Sequence, residues 1–138
     1  MTILDSNILS ALMQPIPEVA VVSWLDSQAR RSLWTTTVNV FEIRFGLKSM
    51  PADRRQALLI ENFELILEQL EDRVAAFDLA AAHEAGELMA ARLRRGRPVE
   101  IRDTMIAGIA LAHNASLATR NTRDFEDSRV PLVNPWAA

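Results

Sequence analysis

Residues 2–7 read Thr-Ile-Leu-Asp-Ser-Asn, and this stretch predicts how the chain begins to fold. Thr2–Leu4 is a short apolar run, which is typical of a buried strand, and the polar residues after it indicate a turn. Ser6 or Asn7 is suited to cap a short helix that follows. The chain is therefore expected to open with a strand, a turn and a helix, with Asp5 at the carboxyl end of the strand.

The same alternation of strand and helix patterns continues along the chain. Short apolar runs recur, and between them lie segments with apolar residues at every third or fourth position. Further strands are predicted at residues 32–36, 74–77, 116–119 and 131–133, and helices at 18–30, 37–47, 51–70, 80–95 and 103–113. Strands that alternate with helices predict an α/β protein, with a mostly parallel sheet of four or five strands covered on both faces.

The composition is that of one ordinary domain spanning residues 1–138, with 49% hydrophobic and 24% charged residues. The absence of cysteine excludes disulfides and thiolate nucleophiles, and the two histidines, His83 and His113, make a zinc enzyme an unfavourable interpretation. No apolar run is long enough to span a membrane, and the N-terminus lacks the layout of a secretory signal. A cytoplasmic protein is therefore expected.

Acidic residues follow predicted strands or begin predicted helices, where an open parallel sheet collects its ligands. Each has a structural explanation when taken singly. Asp5 suits a turn or a helix cap, Asp103 suits the positive end of a helix dipole, and Asp124 suits a solvated loop.

The pattern around Glu42 places a carboxylate inside an apolar stripe of its predicted helix. Val38 lies one turn before it, and Phe41 and Phe45 lie beside it. An ionised carboxylate is costly to bury alone, so Glu42 must be neutral, pair with a cation or face a cavity. A structural ion pair with a distant arginine and a functional role both fit.

Taken together, the acids predict a metal site if folding brings them to one edge of the sheet. The four residues are Asp5, Glu42, Asp103 and Asp124. Oxygen donors without nearby histidine or cysteine favour Mg²⁺ or Mn²⁺ over zinc. Crowded carboxylates would repel one another unless a divalent cation neutralised them.

Four segments also resemble, in order and spacing, those of PIN-domain ribonucleases. They are Ile3–Asn7, Thr37–Gly46, Asp103–Ala107 and Ala118–Phe125. The resemblance covers essentially the whole chain and is closest to the VapC-type toxins of bacterial toxin–antitoxin pairs, while Val133–Trp136 looks like the FitB-like branch. It implies a three-layer α/β/α domain with an acidic pocket for Mg²⁺ or Mn²⁺.

The resemblance also implies which residues form the site. The catalytic and metal-binding carboxylates would be Asp5, Glu42, Asp103 and Asp124. Supporting roles would fall to Ser6, Asn7, Thr119 and Asn121. Some relatives have an acid where Asn121 stands, so the resemblance leaves open whether Asn121 or Asp124 completes the site.

The activity that the resemblance implies is metal-dependent hydrolysis of RNA, leaving a 5′-phosphate and a 3′-hydroxyl. The implied partners are a cognate antitoxin, a second copy in a homodimer, and operator DNA bound only through the antitoxin. One alternative is a PIN-like module without catalysis that contributes to an autoregulatory DNA-binding complex. Another is a phosphotransfer enzyme using Asp5, which is disfavoured because the haloacid-dehalogenase arrangement needs an acid where Asn7 stands.

Contacts to RNA and to an antitoxin are predicted from two further groups of residues. The arginines that precede Asp103 and would bind RNA phosphates are Arg92, Arg94, Arg95, Arg97 and Arg102. A solvated helix end explains them equally well. The apolar residues that would wall an antitoxin groove are Leu9, Leu12 and Met13, for which core burial is the alternative. The tryptophans at 24, 34 and 136 are expected to pack in the core or an interface, with nucleic-acid stacking as the alternative.

Overall fold

The computed structural model describes residues 1–97 and 100–137, and it contains a five-stranded sheet. The strands are β1 (Thr2–Leu4), β2 (Leu33–Thr36), β3 (Val74–Ala75), β4 (Ser116–Ala118) and β5 (Leu132–Val133). Neighbouring strands pair in parallel in the order β3-β2-β1-β4-β5. The predicted parallel sheet is confirmed, and the carboxyl ends of its strands lie at one edge.

The described residues also form six α-helices and two short 3₁₀ turns. The helices are α1 (Ser6–Met13), α2 (Val19–Asp26), α3 (Thr37–Lys48), α4 (Arg54–Leu70), α5 (Leu79–Arg94) and α6 (Ile101–Ala112). The turns are Arg30–Ser32 and Thr122–Ser128. In this part of the chain, no helix is long and apolar enough to cross a membrane.

Two hydrophobic cores lie on opposite faces of the sheet because consecutive strand residues point to opposite sides. Ile3 is fully buried in a core with residues of α5 and α6, including Ile106. The next residue, Leu4, is buried in a second core with α1, α3 and α4, including Ile8 and Phe63. Helices on both faces make three layers, so the α/β/α expectation is confirmed.

Helices α5 and α6 approach each other closely at Gly108. A Cβ at this position would lie 2.6 Å from the carbonyl oxygen of Ala81 and 2.7 Å from the Cβ of Ala85. No side chain fits at such distances, so glycine and the alanine-rich face of α5 are needed together. This contact fixes α6, whose first turn carries Asp103.

The structure corrects the predicted caps of two helices. The helix cap predicted as one alternative for Asp5 is confirmed, and Ser6 and Asn7 do not cap α1. The backbone of Asp5 is extended after β1, and its carboxylate accepts the N–H of Ser6 at 2.9 Å. Thr36, one residue before the predicted Thr37, caps α3 from the end of β2. In both cases the strand passes directly into the helix, so the last strand-side residue is left to accept the free N–H groups.

Other predicted bounds also shift. Glu100 caps α6 and its carboxylate accepts the N–H of Asp103 at 3.2 Å, so Asp103 lies within the first turn rather than at the helix entrance. The predicted helix over 18–30 ends earlier, at Asp26. There the hydroxyl of Ser27 donates to the carbonyl of Trp24 at 2.6 Å, which closes the last turn.

Candidate functional site

Polar side chains from three neighbouring strands meet at the carboxyl edge of the sheet. Asp5 directly follows β1, Thr36 ends β2, and Thr119 directly follows β4. All three are buried, with Thr36 and Thr119 at 0% exposure and Asp5 at 5%. The central strand and both its neighbours therefore contribute to one polar site.

Asp5 is held by hydrogen bonds to both carboxylate oxygens. Oδ1 accepts the N–H of Ser6 and the amide of Asn39, each at 2.9 Å, and Oδ2 accepts the hydroxyl of Thr119 at 2.8 Å. Burial raises the pKa of Asp5, these donors oppose the rise, and the charge of Asp124 adds to it. The donors fix the orientation of this carboxylate in the site.

Asn39, which the sequence reasoning missed, connects the parts of the site. This fully buried residue accepts a hydrogen bond from the hydroxyl of Thr36 at 2.6 Å and donates to Asp5 and to Ser6 Oγ, both at 2.9 Å. The available signal was its position one helical turn before Glu42, which places both side chains on one face of α3.

Glu42 joins the site through Ser6, whose hydroxyl donates to Oε1 of Glu42 at 2.9 Å. Burial raises the pKa of Glu42, and repulsion from Asp5 raises it further. Its other oxygen lies 3.7 Å from Nε of Arg102. The distant arginine that the sequence allowed is therefore present, and a functional role for Glu42 stays a prediction.

The apolar stripe predicted around Glu42 is wrong in part. Val38 is buried as expected, but Phe41 and Phe45 are 58% and 61% exposed. Their rings stack on each other with centroids 6.4 Å apart. The polar neighbours of Glu42 are thus Ser6 of α1 and Arg102 of α6.

Asp103 shows most directly that the acids are neighbours. Its pKa is raised to about 7, chiefly by burial. The remaining causes are the negative charges of Asp5, Glu100, Asp124 and Glu42. Glu100 was not predicted as part of the site; its carboxylate caps α6 and adds to the repulsion on Asp103.

Asp124 lies in the turn Thr122–Ser128, and its charge raises the pKa of both Asp5 and Asp103. Asn121 begins this turn, and its backbone N–H donates to Thr119 Oγ at 3.0 Å. Asp124 therefore contributes charge to the site, and Asn121 fixes the backbone that leads to it.

Asn7 links Asp5 to the end of β4. Its amide donates to Thr119 Oγ at 3.2 Å and lies 3.4 Å from Asp5 Oδ2, while its carbonyl oxygen accepts the N–H of Arg120 at 3.0 Å. Of the residues predicted from the sequence, Ser6, Asn7 and Thr119 thus contact Asp5 directly. The roles predicted for Glu42, Asp103, Asp124 and Asn121 stay predictions.

The acids are close enough to repel one another but do not form a ready cage. Within residues 1–97 and 100–137, no group of three His, Cys, Asp or Glu side chains is placed to enclose a metal ion as it stands. Burial and the neighbouring negative charges together raise the pKa of Asp5, Glu42 and Asp103.

Comparison with known proteins places this geometry in a family. Residues 2–129 match the family described as the PIN domain. The chain belongs to the PIN-domain family. It is 38% identical to the plasmid stability protein StbB of Pseudomonas syringae pv. tomato, over 100% of both chains. It is 37% identical to the VapC ribonuclease Y4jK of Sinorhizobium fredii, over 99% of this chain and 98% of that protein.

Solved structures agree with this assignment. The chain is similar to the one titled "Crystal Structure of FitAcB from Neisseria gonorrhoeae", with a TM-score of 0.91, 29% identity and 100% coverage of both chains. A structure titled as FitAB bound to an IR36 DNA fragment aligns with a TM-score of 0.89 and 30% identity, over 99% of this chain and 96% of that one. The predicted resemblance to VapC-type and FitB-like PIN domains is confirmed.

In this PIN domain, one of the predicted RNA-binding arginines is buried. Arg92 is 2% exposed and pairs with Asp127 through two hydrogen bonds of 3.0 and 2.8 Å. It also donates to the hydroxyl of Thr104 at 3.0 Å and to the carbonyl of Asp124 at 2.8 Å. The surface role expected for Arg92 is wrong, because this arginine ties α5 to the elements that carry Asp103 and Asp124.

The other arginines of the PIN domain are partly engaged by carboxylates. Asp127 lies 4.0 Å from Arg95 and 3.7 Å from Arg97, and Glu100 lies 3.3 Å from Arg102. Hydrogen bonds and charge from Arg92 lower the pKa of Asp127, so it stays ionised beside them. Arg94 is exposed near the end of α5. An RNA contact by Arg94, Arg95, Arg97 or Arg102 stays a prediction.

The residues predicted to wall an antitoxin groove do not share one environment. Leu9 and Met13 are core residues of the PIN domain, 0% and 3% exposed. Leu12 is partly exposed and lines an open groove between α1 and α4. Core burial therefore explains the first two, and only Leu12 is available to a partner.

Proposed function

We propose that this PIN domain is the toxin of a type II toxin–antitoxin pair and a Mg²⁺- or Mn²⁺-dependent endoribonuclease. The observation that carries the proposal is the position of Asp5, Glu42, Asp103 and Asp124 at the carboxyl edge of the sheet, where burial and neighbouring negative charges raise the pKa of Asp103 to about 7. Carboxylates concentrated at one point favour a divalent cation there.

The donor set fits a hard cation because it consists of carboxylate oxygens and contains no histidine or cysteine. The residues that would hold the ion are Asp5, Glu42, Asp103 and Asp124. When bound, such an ion lowers the pKa of a water molecule and offsets charge on the phosphate of RNA.

The residues around the acids keep them in place. The donors to Asp5 oppose the rise that burial causes in its pKa, and they hold its carboxylate in one orientation. Ser6 receives a hydrogen bond from Asn39 and donates one to Glu42, which couples α1 to α3. Thr119 fixes the second oxygen of Asp5 from β4. The site is thus held from three sides before a ligand binds.

Cleavage of a single-stranded RNA by the purified chain tests the proposal. We expect cleavage with Mg²⁺ or Mn²⁺ and none with EDTA. Asp103→Asn should lower the rate of cleavage by about a hundredfold or more, because it removes a carboxylate that would hold the ion. Each tenfold loss in rate corresponds to only about 1.4 kcal/mol of transition-state stabilisation. Asp72→Asn is the matched control, since Asp72 is exposed and precedes β3 at the opposite edge of the sheet.

A wild-type chain that leaves RNA intact with either metal, at a purity that excludes contaminating nucleases, would contradict the enzymatic proposal. The alternative function, a module acting only within an antitoxin-dependent DNA-binding complex, would then be favoured. Equal rates for wild type and Asp103→Asn would contradict the assignment of the site.

We also propose a cognate antitoxin as partner, with operator DNA bound through that antitoxin, a homodimer of the toxin, and action in the cytoplasm. The FitAcB and FitAB structures described above support the first two parts. The groove beside Leu12, lined further by Pro17, Leu58 and Leu65, presents apolar surface for a partner. Co-expression with the product of the adjacent gene, followed by size-exclusion chromatography, should give a complex. Leu65→Asp should weaken that complex if the groove is used.

A further inference from the structure

Arg120 lies at the carboxyl edge of the sheet, directly after Thr119. Its backbone N–H donates to Asn7 Oδ1 at 3.0 Å, and the amide of Asn7 lies 3.4 Å from Asp5 Oδ2. Its guanidinium carbon lies 4.8 Å from the centroid of the Trp136 ring. The main chain of Arg120 is therefore anchored beside the acidic site, while its exposed side chain rests on an aromatic face.

Trp136 is itself fixed. Its indole N–H donates to Glu18 Oε2 at 2.6 Å, and its backbone N–H donates to Asn134 Oδ1 at 3.0 Å. The ring also packs against the hydrophobic core that contains Leu4. Because Trp136 follows β5, it lies at the same edge of the sheet as Asp5.

Unlike Arg92 and Arg102, Arg120 has no carboxylate partner among the described residues. Arg92 is paired with Asp127, and Arg102 lies near Glu42 and Glu100. Among the ion pairs of the described residues, none involves Arg120. Contact with an aromatic ring occupies one face of a guanidinium and leaves its N–H edge free to bind a phosphate through two hydrogen bonds.

We propose that Arg120, held in position by Trp136, binds a backbone phosphate of RNA on the β5 side of the acidic site. This inference rests on the proposed ribonuclease function and adds a substrate-binding residue to it. The acidic site repels RNA, so a cation fixed beside it supplies attraction where the strand must lie.

Binding of a fluorescein-labelled single-stranded RNA, followed by anisotropy at several salt concentrations, tests the contact. All proteins carry Asp103→Asn so that the RNA stays intact. We expect Arg120→Gln to weaken binding by about tenfold at low salt and to reduce the slope of log K against log salt by about 0.7, as for one phosphate contact on a single strand.

Arg31→Gln is the matched control. Arg31 is exposed and precedes β2, so it lies at the opposite edge of the sheet. The same charge change there should alter the affinity by less than about twofold. Equal losses for both variants would overturn the proposal, because they would indicate attraction by net charge alone.

Trp136→Leu tests the positioning role while keeping apolar bulk. We expect it to weaken RNA binding by about threefold in the presence of Arg120 and to have no further effect in Arg120→Gln, since coupled residues are not additive. Trp136→Phe should fall between. Additive losses would overturn the role of Trp136, and a melting curve for each variant verifies folding.

Steady-state cleavage by proteins with Asp103 intact separates this inference from the proposed function. Arg120→Gln should raise KM with little change in kcat, as expected for a contact made equally in ground and transition states. If the wild type cleaves RNA and Arg120→Gln has unchanged affinity, salt slope and KM, the inference fails alone. If the wild type does not cleave RNA, the proposed function fails.

Discussion

The side-chain amide of Asn39 donates a hydrogen bond of 2.9 Å to Oδ1 of Asp5. The oxygen of the same amide accepts the hydroxyl of Thr36 at 2.6 Å. One neutral group thus connects the ends of β1 and β2 beneath the acids. The amide supplies both a donor toward the carboxylate and an acceptor toward the hydroxyl from one side chain.

Asn39→Asp should therefore destabilise the protein in a pH-dependent manner. The substitution replaces the donor to Asp5 by a carboxylate, which leaves two buried acids face to face and costs about 2–4 kcal/mol near neutral pH. The loss should shrink at acid pH, where one of the two acids binds a proton. Urea unfolding at both pH values measures it, and an equal loss at both would contradict the explanation.

The raised pKa of Asp103 predicts how the stability of the metal-free protein depends on pH. Its pKa is about 7 when folded, against an ordinary value of 3.8. Between these values the folded state binds more protons than the unfolded state, so this residue lowers the free energy of unfolding as the pH rises toward 7. With EDTA, Asp103→Asn should have a higher Tm than wild type at pH 8 and a similar Tm at pH 4. Parallel melting curves across this range would exclude the effect.

Addition of Mn²⁺ or Mg²⁺ should reverse this penalty. A ligand that binds only the folded state raises its stability in proportion to the logarithm of ligand concentration above Kd. We expect the Tm of the wild type to rise with metal at pH 7.5 and the rise to be much smaller for Asp103→Asn. Asp72→Asn should respond as the wild type does, and a response absent from all three proteins would contradict the metal site.

The buried pair of Arg92 and Asp127 should contribute strongly to stability. Arg92→Met removes both hydrogen bonds to Asp127 and leaves it only the more distant Arg95 and Arg97, so it should cost about 3–5 kcal/mol, whereas the double change with Asp127→Leu should cost less. The exposed pair of Arg44 and Glu64 is the control, with side chains 45% and 57% exposed. Breaking it by Glu64→Gln should cost less than about 1 kcal/mol. Chemical unfolding compares the four proteins.

Two glycine substitutions should have opposite signs. Gly108→Ala places a methyl group against the backbone of α5 and should destabilise by about 1–3 kcal/mol. Gly86→Ala meets no atom within 4 Å on a helix surface and should stabilise by up to about 1 kcal/mol. Comparison of the two variants separates the effect of close contact from that of helix propensity. A loss of stability for both would contradict this explanation.

Much of the fold was predictable because the strands are buried on both faces and are separated by helices of clear period. Asp5 was found from its place at the end of β1, and the other acids from their places in later segments. Their mutual proximity needed the strand order, in which β1 lies between β2 and β4.

What the sequence did not reveal depends on long-range partners. In the sequence, Asn39 looks like any polar residue in the first turn of a helix. Its role is recognisable only from its hydrogen bond to Asp5 in the folded protein. Arg92 looked like part of a surface cluster because nothing local indicates that Asp127, far along the chain, closes over it. Phe41 and Phe45 were expected to face the interior because period alone does not say which side of a helix a neighbour covers.

The position of Asp5 at the junction of β1 and α1 also bears on genetics. Its carboxylate both faces the acids and terminates the first helix by accepting the N–H of Ser6. A selection for host survival that yields a change at codon 5 therefore does not distinguish a misfolded protein from a folded but inactive one. The side chain of Asp103 caps no helix. A loss-of-toxicity allele at codon 103 therefore separates loss of activity from loss of folding more clearly.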